Sequence, residues 1–138
     1  MSLILGPGIL EQIVQHARTA LPQEGCGLIV GLDGGRDGSA TRFLPITNLL
    51  QSATSYEMEP AELIAALRSL RTTGESLLAI YHSHPRGPAV PSPRDIERAY
   101  YPDAVHVIVS LASPETPVVR GFRIADGRSV EVELHVIV

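Results

Sequence analysis

Two histidines and an aspartate have the residue types and the spacing of a metal-binding set. His82 and His84 follow the apolar run 77–81, which is typical of a buried strand. Alternate residues of a strand point to the same side, so both imidazoles can meet at one point. Asp95 follows in the first turn of a predicted helix. These ligand types suit Zn²⁺, and three protein ligands leave a fourth tetrahedral position open, as in catalytic zinc sites.

Two further polar residues could supply acid–base and oxyanion chemistry. Glu24 lies in the segment Pro-Gln-Glu-Gly-Cys-Gly, between a predicted helix and a predicted buried strand. Its carboxylate could take a proton from the attacking water and pass it to a leaving amine. Ser92 precedes Pro93, which is the usual order of a helix N-cap and first helical residue. The Ser92 hydroxyl could also donate a hydrogen bond to the oxyanion of a tetrahedral intermediate.

The periodicity of apolar residues predicts the elements that must position these side chains. Helices are predicted over 8–21, from Pro60 to just before Gly74, and from Pro93 to near Pro102. Strands are predicted over 26–32, 41–46, 77–81, 105–111, 118–124 and 130–138, with a further short strand around 55–58. Residues 33–39 are predicted to be a turn, and Asp126-Gly127 is predicted to close a hairpin. We therefore predict one α/β (α+β) domain over residues 1–138, whose single mixed, largely antiparallel sheet is flanked by helices.

Composition and charge exclude several classes of function. The chain has 138 residues, and its 11 basic residues, all arginine, are outnumbered by 15 acidic ones, which argues against nucleic-acid and anionic-membrane partners. No apolar run approaches the roughly 20 residues of a membrane helix, and the N-terminus lacks the pattern of a signal peptide. A cytoplasmic protein is therefore expected. The single cysteine, Cys26, is predicted to be a buried strand residue, and zinc deaminases are excluded because they need a pair.

The five polar residues together resemble the signature of a known enzyme family. Glu24, then His82 and His84 as His-Ser-His, then Ser92 after seven residues and Asp95 after two more, is similar to the JAMM (MPN+) pattern Glu … His-[Ser/Thr]-His-x₇-Ser-x₂-Asp. The resemblance implies a JAMM/MPN fold, with an architecture like that of the cytidine deaminases. It also implies a zinc-dependent (iso)peptidase with one Zn²⁺ per chain. In that family, the residues at these positions are two histidine ligands, an aspartate ligand, a glutamate general acid/base and a serine oxyanion donor.

The resemblance also suggests a substrate. Small stand-alone prokaryotic members resemble enzymes that release ubiquitin-like or sulfur-carrier proteins, whose tails end in Gly-Gly. An amide bond at such a tail is the predicted target, and the tail is expected to lie beside an exposed sheet edge. Two alternatives stay open: a non-catalytic MPN-type interaction module, and a metallohydrolase of small peptides or amides. Whether the bond is an α-peptide or an isopeptide, and whether the protein forms a homodimer, also stay open. The remaining histidines, His16, His106 and His135, are expected to be ordinary core or surface residues.

Overall fold

The computed structural model describes residues 2–33 and 37–138. Within them, seven strands and three helices follow the predicted order, except for an additional first strand. The elements are β1 (Ser2–Leu5), α1 (Ile9–Ala20), β2 (Cys26–Leu32), β3 (Asp37–Ile46), α2 (Pro60–Thr73), β4 (Ser76–His84), α3 (Pro93–Glu97), β5 (Val105–Ser110), β6 (Val118–Ala125) and β7 (Arg128–Val136). The predicted turn 33–39 is too long, because β3 already begins at Asp37, and residues 34–36 lie outside the described residues.

The sheet is mixed, as predicted, but it closes into a barrel in the order β1-β3-β2-β4-β5-β6-β7. Closure depends on β1, which the sequence did not predict and which pairs in parallel with both β3 and β7. The β4–β5 pair is also parallel, and the other four pairs are antiparallel. Each described strand therefore has a partner on both sides. Pairing on both sides does not run the full length of every strand: residues 42–46 of β3 pair with β2 but lie beyond the end of β1, so the exposed edge expected for a substrate tail stays a prediction.

Helices α1 and α2 cover opposite faces of the central strands. The α1 side chains Ile9, Ile13 and Ala17 are spaced four residues apart and are buried in one apolar cluster with Tyr81. The α2 helix begins at the N-cap Glu59, whose carboxylate accepts hydrogen bonds from two backbone N–H groups. Its apolar stripe packs on a second cluster around Leu28 and Ile80; the residues of the stripe are Leu63, Ala66, Leu67 and Leu70. No helix of the described residues is both long and apolar enough to cross a membrane.

Strand β4 presents the histidines to one of these faces. It lies between β2, with antiparallel pairing, and β5, with parallel pairing. Because successive side chains alternate, Tyr81 faces the α1 cluster while Ile80 faces the α2 cluster. His82 and His84 share the side of Ile80. The histidine pair therefore lies on the face that α2 and α3 cover.

Two local predictions near this face differ from the structure. Helix α3 ends at Glu97 rather than near Pro102, because Tyr101 packs into the α2 cluster and takes the chain off the helix axis. The short strand predicted around 55–58 is reduced to one antiparallel bridge between Met58 and Asn48. The hairpin between β6 and β7 is confirmed: Asp126 and Gly127 both have positive φ, as the two-residue turn requires.

Candidate active site

The structure brings His82, His84 and Asp95 together at one point. The Nε2 atoms of the two histidines are 3.1 Å apart, and the Asp95 Oδ2 atom is 3.1 Å from the first and 3.0 Å from the second. Both histidines are buried, at 1% and 8% exposure. The ligand atoms of a tetrahedral zinc ion with bonds of 2.0–2.1 Å are about 3.3 Å apart. The three atoms thus form a triangle of nearly the size that a zinc ion requires.

The hydrogen bonds around the triangle favour a cation at its centre. His84 Nδ1 is 2.7 Å from the carbonyl oxygen of Pro88, which can only accept, so we assign the His84 proton to Nδ1. The Nε2 lone pair of His84 then points toward a carboxylate oxygen that is also an acceptor. Histidine ligands are usually oriented through the second ring nitrogen in this way. His82 departs from that rule: its Nδ1 atom has no partner among the described residues, and its ring stacks on Tyr56, with centroids 4.7 Å apart.

Asp95 is held in place by the start of α3. The Ser92 Oγ atom accepts from the Asp95 backbone N–H at 3.1 Å, and the Ser92 backbone N–H donates to Asp95 Oδ2 at 2.9 Å, which is a capping box. Burial opposes ionisation of Asp95, but its pKa is lowered by the adjacent His82 and His84 rings and by the hydrogen bond that it accepts from the Ser92 backbone N–H, and these effects outweigh burial. The carboxylate is therefore charged. The Ser92 hydroxyl accepts within the cap and keeps its proton for donation elsewhere.

Glu24 is a buried acid on the segment that leads into β2. It is 4% exposed, and its Oε1 atom has no hydrogen-bond partner among the described residues. Burial is the main reason why its pKa rises to about 7, and the charges of His84 and Asp95 also act on it. Glu24 therefore lies near the histidine–aspartate triangle, with a pKa suited to taking and returning a proton near neutral pH.

Backbone hydrogen bonds fix the position of Glu24 on both sides. Its N–H donates to the carbonyl oxygen of Ser52, and its carbonyl oxygen accepts from Asn48 Nδ2 at 3.0 Å. The next residue, Gly25, donates its N–H to Ser83 Oγ at 2.7 Å. A Cβ atom on Gly25 would lie 2.6 Å from the Tyr81 hydroxyl, so only glycine fits there. Sequence reasoning gave this glycine no role.

Comparisons with known proteins agree with the geometry. Residues 7–125 match the family model described as prokaryotic homologs of the JAB domain. The chain belongs to this family. The JAMM/MPN resemblance and the mixed α+β fold are thereby confirmed. The chain is also similar to a protein from Desulfitobacterium hafniense whose solution structure is known: the two are 37% identical, the TM-score is 0.90, and the match covers 98% of this chain and 92% of that one.

Two curated relatives of this JAB-family chain carry names that describe an activity. The CysO-cysteine peptidase of Mycobacterium tuberculosis is 33% identical over 135 residues, covering 98% of this chain and 91% of the relative. The probable TtuB-protein conjugate cleaving protease of Thermus thermophilus is 42% identical over 124 residues, covering 89% and 76%. One relative is thus named a peptidase and the other a probable protease of protein conjugates.

The sequence missed two residues that support the site of this JAB-family chain. Asn48 is buried and ties Glu24 to the loop that carries Tyr56: its Nδ2 donates to the carbonyl oxygens of Glu24 and Ser55, and its Oδ1 accepts from the N–H groups of Leu50 and Glu57. An asparagine in a loop ordinarily indicates only a turn. Tyr56, whose ring stacks on His82, was the second residue missed. The scarcity of aromatic residues, 4% of the chain, was a weak sequence signal for it.

Asn48→Ala is expected to destabilise the protein and to impair the site together. The substitution leaves four backbone groups without their partner, two in buried hydrogen bonds and two in partly buried ones, so we expect a loss of about 3 kcal/mol in the free energy of unfolding. Hydrolysis by the folded fraction should also fall, because the Glu24 backbone and the Tyr56 loop lose their common anchor. Urea unfolding and steady-state kinetics well below the melting temperature measure the two effects separately.

Thr47→Ala is the matched control, because it removes the exposed side chain of the neighbouring residue. Its free energy of unfolding should stay within about 0.5 kcal/mol of the wild-type value. Wild-type activity in folded Asn48→Ala would show that Asn48 has no part in positioning Glu24.

Proposed function

We propose that this protein is a zinc-dependent peptidase that cleaves the amide bond at the Gly-Gly tail of a ubiquitin-like or sulfur-carrier protein. The observation that carries the proposal is the convergence of His82 Nε2, His84 Nε2 and Asp95 Oδ2, together with the buried carboxyl group of Glu24, on which the charges of His84 and Asp95 act. Two relatives that match most of this chain are named for peptidase or protease action on a carrier protein or its conjugates. The donor set and the relatives' names favour the same reaction.

His82, His84 and Asp95 would hold the zinc ion, which when bound supplies Lewis-acid activation of water and of the scissile carbonyl. Glu24 takes the proton of the attacking water on its carboxylate and later delivers it to the nitrogen of the departing amine. The Ser92 hydroxyl donates a hydrogen bond to the carbonyl oxygen as negative charge develops there. Hydrolysis adds hydroxyl to the carbonyl carbon and hydrogen to the nitrogen as the C–N bond breaks.

The site is less well suited to a purely structural role. A buried acid such as Glu24, whose Oε1 atom has no hydrogen-bond partner among the described residues, is costly for stability, because burial removes its ionised form from water. A non-catalytic interaction module has no need of that carboxyl group.

Cleavage of a defined carrier protein tests the proposal. The zinc-loaded protein is incubated with a ubiquitin-like protein whose Gly-Gly tail is extended by an α-linked peptide, and with one joined through an isopeptide bond to lysine. Mass spectrometry should find cleavage directly after Gly-Gly in at least one of them. The control carrier ends in Val-Val at the same positions and should be cleaved far more slowly, because two side chains widen the tail.

The remaining outcomes separate the alternatives. Cleavage of free dipeptides without cleavage of any carrier would replace the proposal by a small-amide hydrolase. Zinc binding without cleavage of either substrate class would favour the interaction module.

A further inference from the structure

The loop of residues 85–92 joins β4, which carries the two histidines, to α3, which carries Asp95. Three of its residues are prolines, which have no backbone N–H to donate: Pro85, Pro88 and Pro91. In the part of the chain that the structure describes, no backbone–backbone hydrogen bond holds residues 85–91. Contacts with side chains elsewhere in the fold must therefore fix the conformation of this loop.

The side chain of Ser110, at the end of β5, makes one of these contacts. Ser110 pairs in register with His84 of the parallel strand β4, and the next residue, Leu111, donates its N–H to the carbonyl oxygen of His84. Ser110 is 5% exposed, and its hydroxyl donates a hydrogen bond of 2.6 Å to the carbonyl oxygen of Gly87. The Ser110 Oγ atom also accepts from the backbone N–H of Ala112 at 3.2 Å. This side chain therefore ties the end of β5 to the loop, and the proposed reaction gives it no part.

The Gly87 carbonyl group that Ser110 holds is adjacent to the carbonyl group that orients His84. Because the peptide bond is planar, holding the Gly87 oxygen fixes the plane of the Gly87–Pro88 peptide. The ring of Pro88 fixes its φ angle, so only the ψ angle of Pro88 is left to turn the next carbonyl group. That carbonyl oxygen lies 2.7 Å from Nδ1 of His84. Histidine ligands are generally oriented by such a hydrogen bond from the second ring nitrogen.

Packing of the following residue, Ala89, restrains this remaining angle. Its side chain is 4% exposed and belongs to an apolar cluster with Ile108 of β5. The chain is therefore held by apolar contacts after the Pro88 carbonyl group and by a single hydrogen bond before it. Loss of the Ser110 hydroxyl would release only the second restraint. The Pro88 carbonyl group would then turn more freely, while the backbone of His84 stays in its strand.

We propose that Ser110 is a positioning residue for the metal ligand His84: its hydroxyl holds the Gly87–Pro88 peptide so that the Pro88 carbonyl group accepts the Nδ1 hydrogen of His84 and keeps Nε2 aimed at the metal. Either nitrogen of a neutral imidazole can carry the proton, and the hydrogen bond at one nitrogen decides which of them is free to bind a metal. This role rests on the proposed function, because it presupposes the metal site. It does not depend on which substrate is cleaved.

Zinc affinity tests this role without turnover. Competition with a chromophoric chelator, well below the melting temperature, should show that Ser110→Ala raises the Kd for zinc by about tenfold. This is the lower end of the range for groups that support a metal ligand, because Ser110 acts through an intervening peptide. Ser110→Thr keeps a hydroxyl and should recover most of the affinity. Ser69→Ala is the matched control, since the Ser69 hydroxyl also donates at 2.6 Å to a carbonyl oxygen, that of Ala66 within α2, and it should keep the wild-type Kd.

NMR of the His84 ring separates positioning from general stability. In zinc-loaded, ¹⁵N-labelled protein, the Nδ1–H group of His84 should exchange slowly with water, and Ser110→Ala should accelerate this exchange by about tenfold or more, because its acceptor is held less firmly. Loss of stability alone would lower the melting temperature equally but leave the exchange rate and the zinc Kd unchanged. Pro88→Ala is the second variant: it frees the φ angle at an exposed position, so it should fold even where Ser110→Ala does not, and should accelerate the same exchange.

The outcomes distinguish failure of the role from failure of the proposed function. If zinc is bound and Ser110→Ala weakens it but no carrier protein is cleaved, the proposed function fails and the positioning role stands. If carriers are cleaved while Ser110→Ala keeps the wild-type zinc Kd and exchange rate, the positioning role fails and the peptidase stands. An equal loss of zinc affinity in Ser69→Ala would also overturn the role, and a wild-type protein that binds no zinc would overturn both.

Discussion

Glu24→Gln is expected to lower kcat/KM by about 10²–10⁴-fold while zinc binding is retained, because it removes a proton-transferring group that does not belong to the ligand triangle. Glutamine has nearly the shape of glutamate, and the backbone contacts of Glu24 to Ser52 and Asn48 do not involve its side chain. The variant therefore isolates the carboxyl group. Kinetics with a cleavable carrier and metal analysis of the same preparation measure both quantities.

The stability of the same variant provides a readout that does not depend on turnover. Burial raises the pKa of Glu24 from 4.5 to about 7, so folded Glu24 keeps a proton that the unfolded chain loses between these values. The metal-free wild-type protein should thus lose stability as the pH rises from 4.5 to about 7. Glu24→Gln should lack this part of the decline. Glu11→Gln, which neutralises an exposed acid on α1, should retain it.

Two outcomes would contradict the assignment. Wild-type kcat/KM in zinc-loaded Glu24→Gln would remove Glu24 from the reaction. A pH dependence of stability identical to that of the wild type would mean that the carboxyl group is not held in the buried environment that the structure gives it.

Local patterns explain why much of the site could be predicted from the sequence. His82 and His84 share a face because strand periodicity is fixed at two residues, and this holds wherever the strand lies. Ser92 and Asp95 are joined by a capping box, whose partners are three residues apart. The fixed spacing of these residues from the histidines also carried the family resemblance. These local patterns do not fix the conformation of the loop between His84 and Ser92, which brings Asp95 back to the end of the strand.

Features that depend on distant parts of the chain were not predictable. Strand β1 has four residues, and it forms only because residues 37–40 and 133–136 lie on either side of it. Barrel closure follows from that pairing and was missed with it. Asn48 hydrogen-bonds across 24 residues to Glu24, and a single sequence does not distinguish that bond from an ordinary turn. A cavity of about 460 Å³ that Asp95 partly lines likewise combines Met58, Arg94 and His106, which only the tertiary fold brings together.

Asp95→Asn is expected to reduce zinc affinity by at least about 100-fold and to reduce hydrolysis to background. Changes in groups that only support a metal ligand already cost about 10–100-fold, and Asp95 supplies the one negatively charged ligand. The amide oxygen of the substituted side chain can still accept from the Ser92 backbone N–H, so α3 should keep its N-terminal cap. The loss would therefore belong to the metal site rather than to the helix.

Thermal unfolding measures the same loss without a substrate. Free zinc at about 100 times its dissociation constant should stabilise the wild-type protein by about 2.7 kcal/mol, which for a domain of this size is about 8 °C in Tm. Asp95→Asn should show little of this shift at the same zinc concentration. Glu97→Gln removes an equal charge two residues further along α3 and should keep the full shift. Equal shifts in the wild type and Asp95→Asn would place the zinc outside the triangle, since the charged ligand would then have contributed nothing to holding it.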